Sequence, residues 1–137
     1  MAHARQTIRE AAATLLTGLT STGSRVFQSR MVPQSTALPC LLVTTNDEEI
    51  TPGTIGTLLD RQLDLVITGV AKASGADDNL DTIAAEVETA MSTFTYRNQL
   101  ARIEVDFDEA LEKPAGRIVL TFRVNYLTAA GSPGTPI

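Results

Sequence analysis

The chain has 137 residues, 43% of them hydrophobic and 20% charged, a size and balance that suit one self-sufficient core and exclude a disordered chain. Eleven Lys and Arg against 16 Asp and Glu leave a formal charge of −5, which disfavours a general binder of the phosphate backbone, since such affinity comes from cationic side chains. The single cysteine, Cys40, and single histidine, His3, exclude an intramolecular disulfide and Cys- or His-rich metal clusters, and leave no well-placed histidine for a catalytic triad.

In chain order, Ile8, Ala11, Ala12, Leu15, Leu16 and Leu19 recur at helical spacing, with Arg5, Arg9 and Glu10 on the opposite face. This predicts an amphipathic helix that ends near Gly18 or within residues 20–23. No apolar run approaches the roughly 20 residues of a membrane span, and residues 1–19 lack a signal-type apolar block, so the chain reads as soluble. Residues 25–30, around Val26 and Phe27, and residues 40–43, after Leu38-Pro39, read as short strands. Pro39 lacks an N–H and belongs at the start or edge of the second strand. Residues 31–37 read as a loop. Asn46, Asp47, Glu48 and Glu49, followed by the Gly- and Pro-containing residues 51–57, predict the longest internal loop.

Residues 59–72 alternate Leu63, Leu65 and Ile67 with Gln62, Asp64 and Thr68 and predict a long central strand. Turn residues 74–76 lead into Asp77 and Asp78, candidates for helix capping and for complementing the helix dipole. Leu80, Ile83, Ala84, Val87, Met91 and Phe94 then give the buried stripe of a second helix. Residues 102–108 alternate Ile103, Val105 and Phe107 with Glu104 and Asp106, and residues 117–128 alternate Ile118, Leu120, Phe122, Val124 and Tyr126 with Thr121, Arg123 and Asn125. Both are expected to be half-buried strands with their aromatic residues in the core, paired antiparallel through residues 109–116. The order α-β-β-β-α-β-β indicates a two-layer α+β fold, with a largely antiparallel five-stranded sheet and two helices on one face. It forms one domain over residues 1–128, with a flexible tail at 129–137.

The residues offer little chemistry. Asp47, Glu48 and Glu49 lack calcium-loop spacing and are expected in a solvated loop. Cys40 lies in an apolar run and reads as a core thiol. No nucleophile elbow or phosphate-binding loop is present, and no cofactor is expected. Arg25, Arg30, Arg61, Arg97, Arg102, Arg117 and Arg123 far outnumber Lys72 and Lys113, a bias that suits ion pairs at subunit contacts.

Arg25-Val26-Phe27-Gln28-Ser29-Arg30 is followed by Leu38-Pro39-Cys40-Leu41-Leu42-Val43. The strand from Arg61 then leads to Asp77-Asp78-Asn79-Leu80-Asp81, and Lys113-Pro114-Ala115-Gly116 precedes Leu120-Thr121-Phe122-Arg123-Val124-Asn125-Tyr126. Together these resemble the tail terminator (minor tail protein U) family of long-tailed, siphovirus-type phages and prophages. The resemblance implies a non-enzymatic virion subunit, assembled in the host cytoplasm, that forms a hexameric ring on the head-proximal end of the tail tube. Such a ring stops tube polymerisation and presents the head-to-tail joining surface. The implied partners are further copies of the chain, the tail-tube protein and a head-completion or connector protein. DNA is expected to pass through without specific binding, and no membrane is involved.

An acidic lumen would keep the duplex from sticking, which singles out Asp47, Glu48, Glu49, Asp106, Asp108, Glu109 and Glu112 as lumen or partner-contact candidates. Arg25, Arg30, Pro39, Arg61 and Arg123 are candidates for the subunit interface, with residues 39–43 near a sheet edge. Other readings are a different neck or head-completion protein, a tail-tube subunit, or a small metal-independent acid/base enzyme.

Overall fold

In a computed structural model, residues 3–28, 30, 38–52, 57–72, 76–108 and 115–136 are described. The elements are α1 (Ala4–Leu16), β1 (Val26–Phe27), β2 (Cys40–Pro52), β3 (Leu58–Lys72), α2 (Ala76–Met91), β4 (Arg97–Asp108) and β5 (Ala115–Ala129). The fold is the expected two-layer α+β arrangement. One sheet runs in the order β1-β2-β3-β5-β4, antiparallel except for the two-residue parallel pairing of β1 with β2.

Both helices arise from apolar stripes that must be covered. In α1, Ala4, Ile8, Ala12, Ala13 and Leu16 are buried, so the buried stripe includes Ala13, while Ala11 and Leu15 sit at its margins. His3 caps the helix by accepting the Arg5 N–H on Nδ1, and Gly18 stops it with φ +99°, a backbone that glycine adopts without a Cβ penalty. In α2, Leu80, Ile83, Ala84, Val87 and Met91 are buried. This helix begins at Ala76, so Asp77 and Asp78 lie inside its first turn, where they complement the dipole but do not occupy the capping position.

The main core lies between helices and sheet and uses Leu41, Val43, Leu63, Leu65, Ile67, Ile118, Leu120, Phe122 and Val124. On the opposite face, Cys40, Leu42 and Val70 form a small second cluster beneath Phe27 and Leu38. Burial pushes the Cys40 thiol up, with the Arg25 and Arg117 charges opposing in part.

Two expectations are corrected. The polar segment after Thr44 is not a loop as far as Pro52: β2 continues through it, paired residue by residue with β3. The pairing partner, not the segment's own composition, imposes the extended backbone. Between Thr45 and Glu48 the register shifts, so Asn46 and Asp47 bulge against Asp64. The Arg30 guanidinium donates to Asn46 Oδ1 (2.9 Å) and to the Thr45 carbonyl (2.8 Å), and Arg5 donates to the Asn46 carbonyl. Pro52 closes β2 without breaking the ladder because, among the described residues, β2 has no outer neighbour there.

The second correction concerns β4. Its lower half is not half-buried: Ile103, Val105 and Phe107 are exposed. The helices lie over β1, β2, β3 and β5 and stop short of this strand.

The segment set apart as a flexible tail begins inside β5, and its described residues return to the fold. The Ala130 N–H donates to the Thr57 carbonyl, the Ala4 N–H donates to the Pro133 carbonyl, and Pro136 bridges Thr128.

Gly69 lies directly beneath Ile83 of α2. A Cβ there would stand 2.9 Å from Ile83 Cγ2 and 3.1 Å from Ile118 Cγ2. Gly69→Ala is therefore expected to lower stability by about 1–3 kcal/mol through overpacking, measured by urea unfolding against wild type. An unchanged midpoint would show that α2 can lift without cost.

Candidate functional site

Alternation along β3 places Arg61 on the same face as Leu63 and Leu65, under the helices. A guanidinium on an apolar face needs a counter-charge and full hydrogen bonding. Glu48, just past the bulge on β2, supplies the charge. Arg61 Nη1 lies 2.7 Å from Glu48 Oε1, with side-chain exposures of 8% and 5%. Arg61 Nε donates to Thr128 Oγ1 (2.9 Å), and Tyr126 Oη donates to Glu48 Oε2 (2.7 Å). Burial, the hydrogen bond to Glu48 and the carboxylate charge together push the Tyr126 phenol well up, with Arg61 opposing. The network ties β2, β3 and β5 together at one end of the sheet.

The sequence candidates therefore separate. Glu48 and Arg61 are paired with each other inside the domain. Asp47 and Glu49 are exposed beside them, and Asp106 is exposed on β4. Asp108 ends β4; its side chain, with Glu109 and Glu112, lies outside the described residues. Arg25 holds the β1 region in place, donating from Nε to the Pro39 carbonyl (2.8 Å) and from Nη2 to the Ser21 carbonyl (3.1 Å). Pro39 follows a cis peptide from Leu38 and precedes a stretch of β2 that β1 covers at Leu41 and Leu42. Among the described residues, β2 has no strand on its outer side beyond Val43, above the expected residues 39–43. Arg123 lies 3.8 Å from Asp64 on the face that carries no helices.

No group of three His, Cys, Asp or Glu side chains that could hold a metal occurs among the described residues. Among these residues no helix is long and apolar enough to cross a membrane. An open groove between the turn after α1 and helix α2 is lined by Gly18, Leu19, Thr20, Ala85, Glu86, Thr89 and Ala90. Its carboxylate, Glu86, accepts from the Ser21 N–H and hydroxyl, a structural tie between the turn after α1 and helix α2.

The distinguishing surface is at the two sheet edges. Among the described residues the exposed large hydrophobic side chains are Ile50 (48%), Ile103 (44%), Val105 (51%) and Phe107 (45%). Ile50 lies on the part of β2 beyond its pairing with β1 and the other three on β4, the strand at the opposite edge. All four point to the helix side of the sheet, because they pair with residues of that face: Ile50 with Arg61, Ile103 with Leu120 and Val105 with Ile118. Alternation with Glu104 and Asp106 identified β4 as amphipathic, but nothing along the strand reveals that no helix reaches it. For Arg61 a signal was available, since its spacing from Leu63 and Leu65 puts it on the apolar face.

No family model and no curated protein matches the chain. Among solved structures it is similar to a chain of "Virion of native gene transfer agent (GTA) particle", at TM-score 0.53 and 21% identity, over 89% of this chain and 90% of that one. The fold is shared with a component of that virion.

Replacing Glu48 by Ala is expected to cost about 3–5 kcal/mol, because Arg61 is left buried and unpaired, while Glu48→Leu with Arg61→Met costs much less than either single change. Chemical unfolding of the four proteins tests this. For Tyr126, the unfolded phenol ionises near pH 10 while the folded one keeps its proton. The Tyr126 contribution is thus complete below pH 10 and is lost as pH rises beyond it. Cys40 adds a loss in the same sense that sets in from about pH 9. Tyr126→Phe should flatten the part above pH 10 in unfolding curves taken between pH 8 and 11.

Proposed function

We propose that this chain is a tail terminator, a structural subunit that closes into a ring on the head-proximal end of a phage-type tail tube. The observation that carries the reading is the pair of sheet edges that are unpaired among the described residues and bear the exposed apolar side chains. A free monomer with such edges is prone to edge-to-edge association. Two different edges on opposite sides of one subunit suit a heterologous contact, which closes into a ring when the rotation between copies permits. The sequence resemblance and the fold shared with a virion chain support the same reading, and the hexamer comes from the resemblance.

In this reading the ring caps the tail-tube protein on one face and meets a head-completion or connector protein on the other. DNA passes through without specific binding. Asp47, Glu49 and Asp106, with Asp108, Glu109 and Glu112, are the lumen or partner-contact candidates. Arg25, Arg30, Pro39 and Arg123 are subunit-contact candidates, whereas Glu48 and Arg61 hold the subunit's interior. The same free edges also suit a tail-tube subunit, which differs in polymerising without limit.

Light scattering after size exclusion, across a concentration series, should find a species near 88 kDa, about six times the 14.6 kDa chain. Alternatively, substoichiometric protein should halt growth of tubes made from tail-tube subunit. Long polymers formed by this protein alone would make it the tube subunit, and a monomer that never caps tubes would remove the terminator reading.

A further inference from the structure

We propose that the lower half of β4 joins the free upper edge of β2 in a second copy of this chain, with Ile103 lying across from Ile50. The proposal rests on the ring reading above and adds which strands meet, in which direction and with what offset.

Direction comes first. Within the sheet, β2 and β4 run antiparallel to each other, since β2–β3, β3–β5 and β5–β4 are each antiparallel. Copies related by rotation about a ring axis keep their orientation relative to that axis, so β4 of one copy meets β2 of the next antiparallel.

The backbone is poised for this. Leu41 has its side chain on the helix face and donates its N–H outward, to the Arg25 carbonyl beside β1. Chirality makes every helix-face residue of β2 turn its N–H and C=O the same way, so Glu48 and Ile50 present theirs outward. On β4, which runs oppositely along the opposite edge, the same rule turns the peptide groups of Ile103, Val105 and Phe107 outward. The residues with exposed apolar side chains are thus also those whose peptide groups face outward with no strand partner among the described residues. Ile50 and Ile103 can exchange both hydrogen bonds of an antiparallel pair while burying each other's side chains.

The offset selects Ile103. At Leu41 and Leu42 the outer edge of β2 is occupied by β1, so a neighbour must join higher up. Ile50 stands level with Arg61 and Tyr126, whereas Ile103 stands level with Leu120. The six-residue separation along β5 corresponds to about 20 Å of strand, against about 19 Å across the four long strands. A stagger of that size tilts the strands by about 45°, at the upper end of what closed barrels adopt. Pairing Ile50 with Val105 would need about 55°, outside that range. The hand agrees as well. Viewed from the helix side with β2 running upward, β1 lies to the right and β4 to the left. The high right edge therefore meets the low left edge, the offset that right-handed strand twist requires when the helices face outward.

This register also sets Glu49 across from Glu104, and like charges directly opposite weaken a strand pair. The contact is therefore weak between free copies, and Glu104→Gln should strengthen it several-fold.

The test uses full-length protein carrying Ile50→Cys and Ile103→Cys. Both sites are exposed and the native Cys40 is buried, so a short bis-maleimide reports on the new thiols. Treated at the concentration where rings form, or on tail tubes, the double variant should give a ladder that ends at the ring size. Equal mixtures of the two single variants should give dimers that neither single variant gives alone. Ile103→Lys should keep the wild-type melting temperature and lower ring formation at least tenfold.

A ring by light scattering with no Ile50–Ile103 ladder would overturn this contact and leave the ring reading standing. Cross-linking of the Ile103→Cys variant to itself would show an isologous β4 dimer and overturn it likewise. Cross-linking only to tail-tube subunit would assign the β4 edge to that partner. A protein that neither forms rings nor caps tubes would remove the ring reading and this contact with it.

Discussion

The interaction on which the rest of the sheet depends is the buried pair of Arg61 and Glu48, completed by Tyr126 and Thr128. Taking two charges out of water costs several kcal/mol per ion after relaxation, and that cost is offset only when geometry and hydrogen bonding are nearly complete. Each long strand of the inner sheet supplies one part: the carboxylate from β2, the guanidinium from β3, the phenol and hydroxyl from β5. If the register of any one slipped, a charge would be left unpaired under the helices. The network thus specifies alignment at the end of the sheet where apolar contacts are sparse.

The bulge follows from the same requirement. Leu41, Val43 and Thr45 already alternate toward the helices, and Glu48 must face that side too. An odd step from Thr45 to Glu48 would send the carboxylate to the other face, and the extra bulge residue restores the phase. The bulge frees backbone groups, which Arg30 and Arg5 then bind. Holding β2 in place beyond Val43 leaves it extended past the point where β1 ends, and this upper part carries the exposed Ile50.

The other edge arises from the number of covering elements. Two helices span the width of three or four strands, and with α1 over β2 and α2 over β3 and β5 the lower half of β4 receives no cover. Ile103, Val105 and Phe107 continue the apolar face of the core into solvent. Among the described residues the sheet thus carries exposed apolar side chains at both of its edges, Ile50 on β2 and Ile103, Val105 and Phe107 on β4.

Helices α1 and α2, the long central strand, the pairing of β4 with β5 and the two-layer arrangement were all legible in the sequence, because each rests on a periodicity that neighbouring residues declare locally. The buried state of Cys40 was legible for the same reason. Position in the sheet is not a local property. The run Asn46-Asp47-Glu48-Glu49 reads as loop because its extended backbone is imposed by β3. Ile103, Val105 and Phe107 read as core because alternation shows that a strand has an apolar face and not whether a helix lies over it. Arg61 stood at a core spacing, yet its partner lies thirteen residues away, turned to that face by a bulge that no pattern announces. By itself the sequence determined which segments are helices and most of the strands, since hydrophobic period is a short-range signal. Only the tertiary structure decided which apolar residues remain uncovered and which charges are buried, because coverage and pairing depend on elements far apart in the chain.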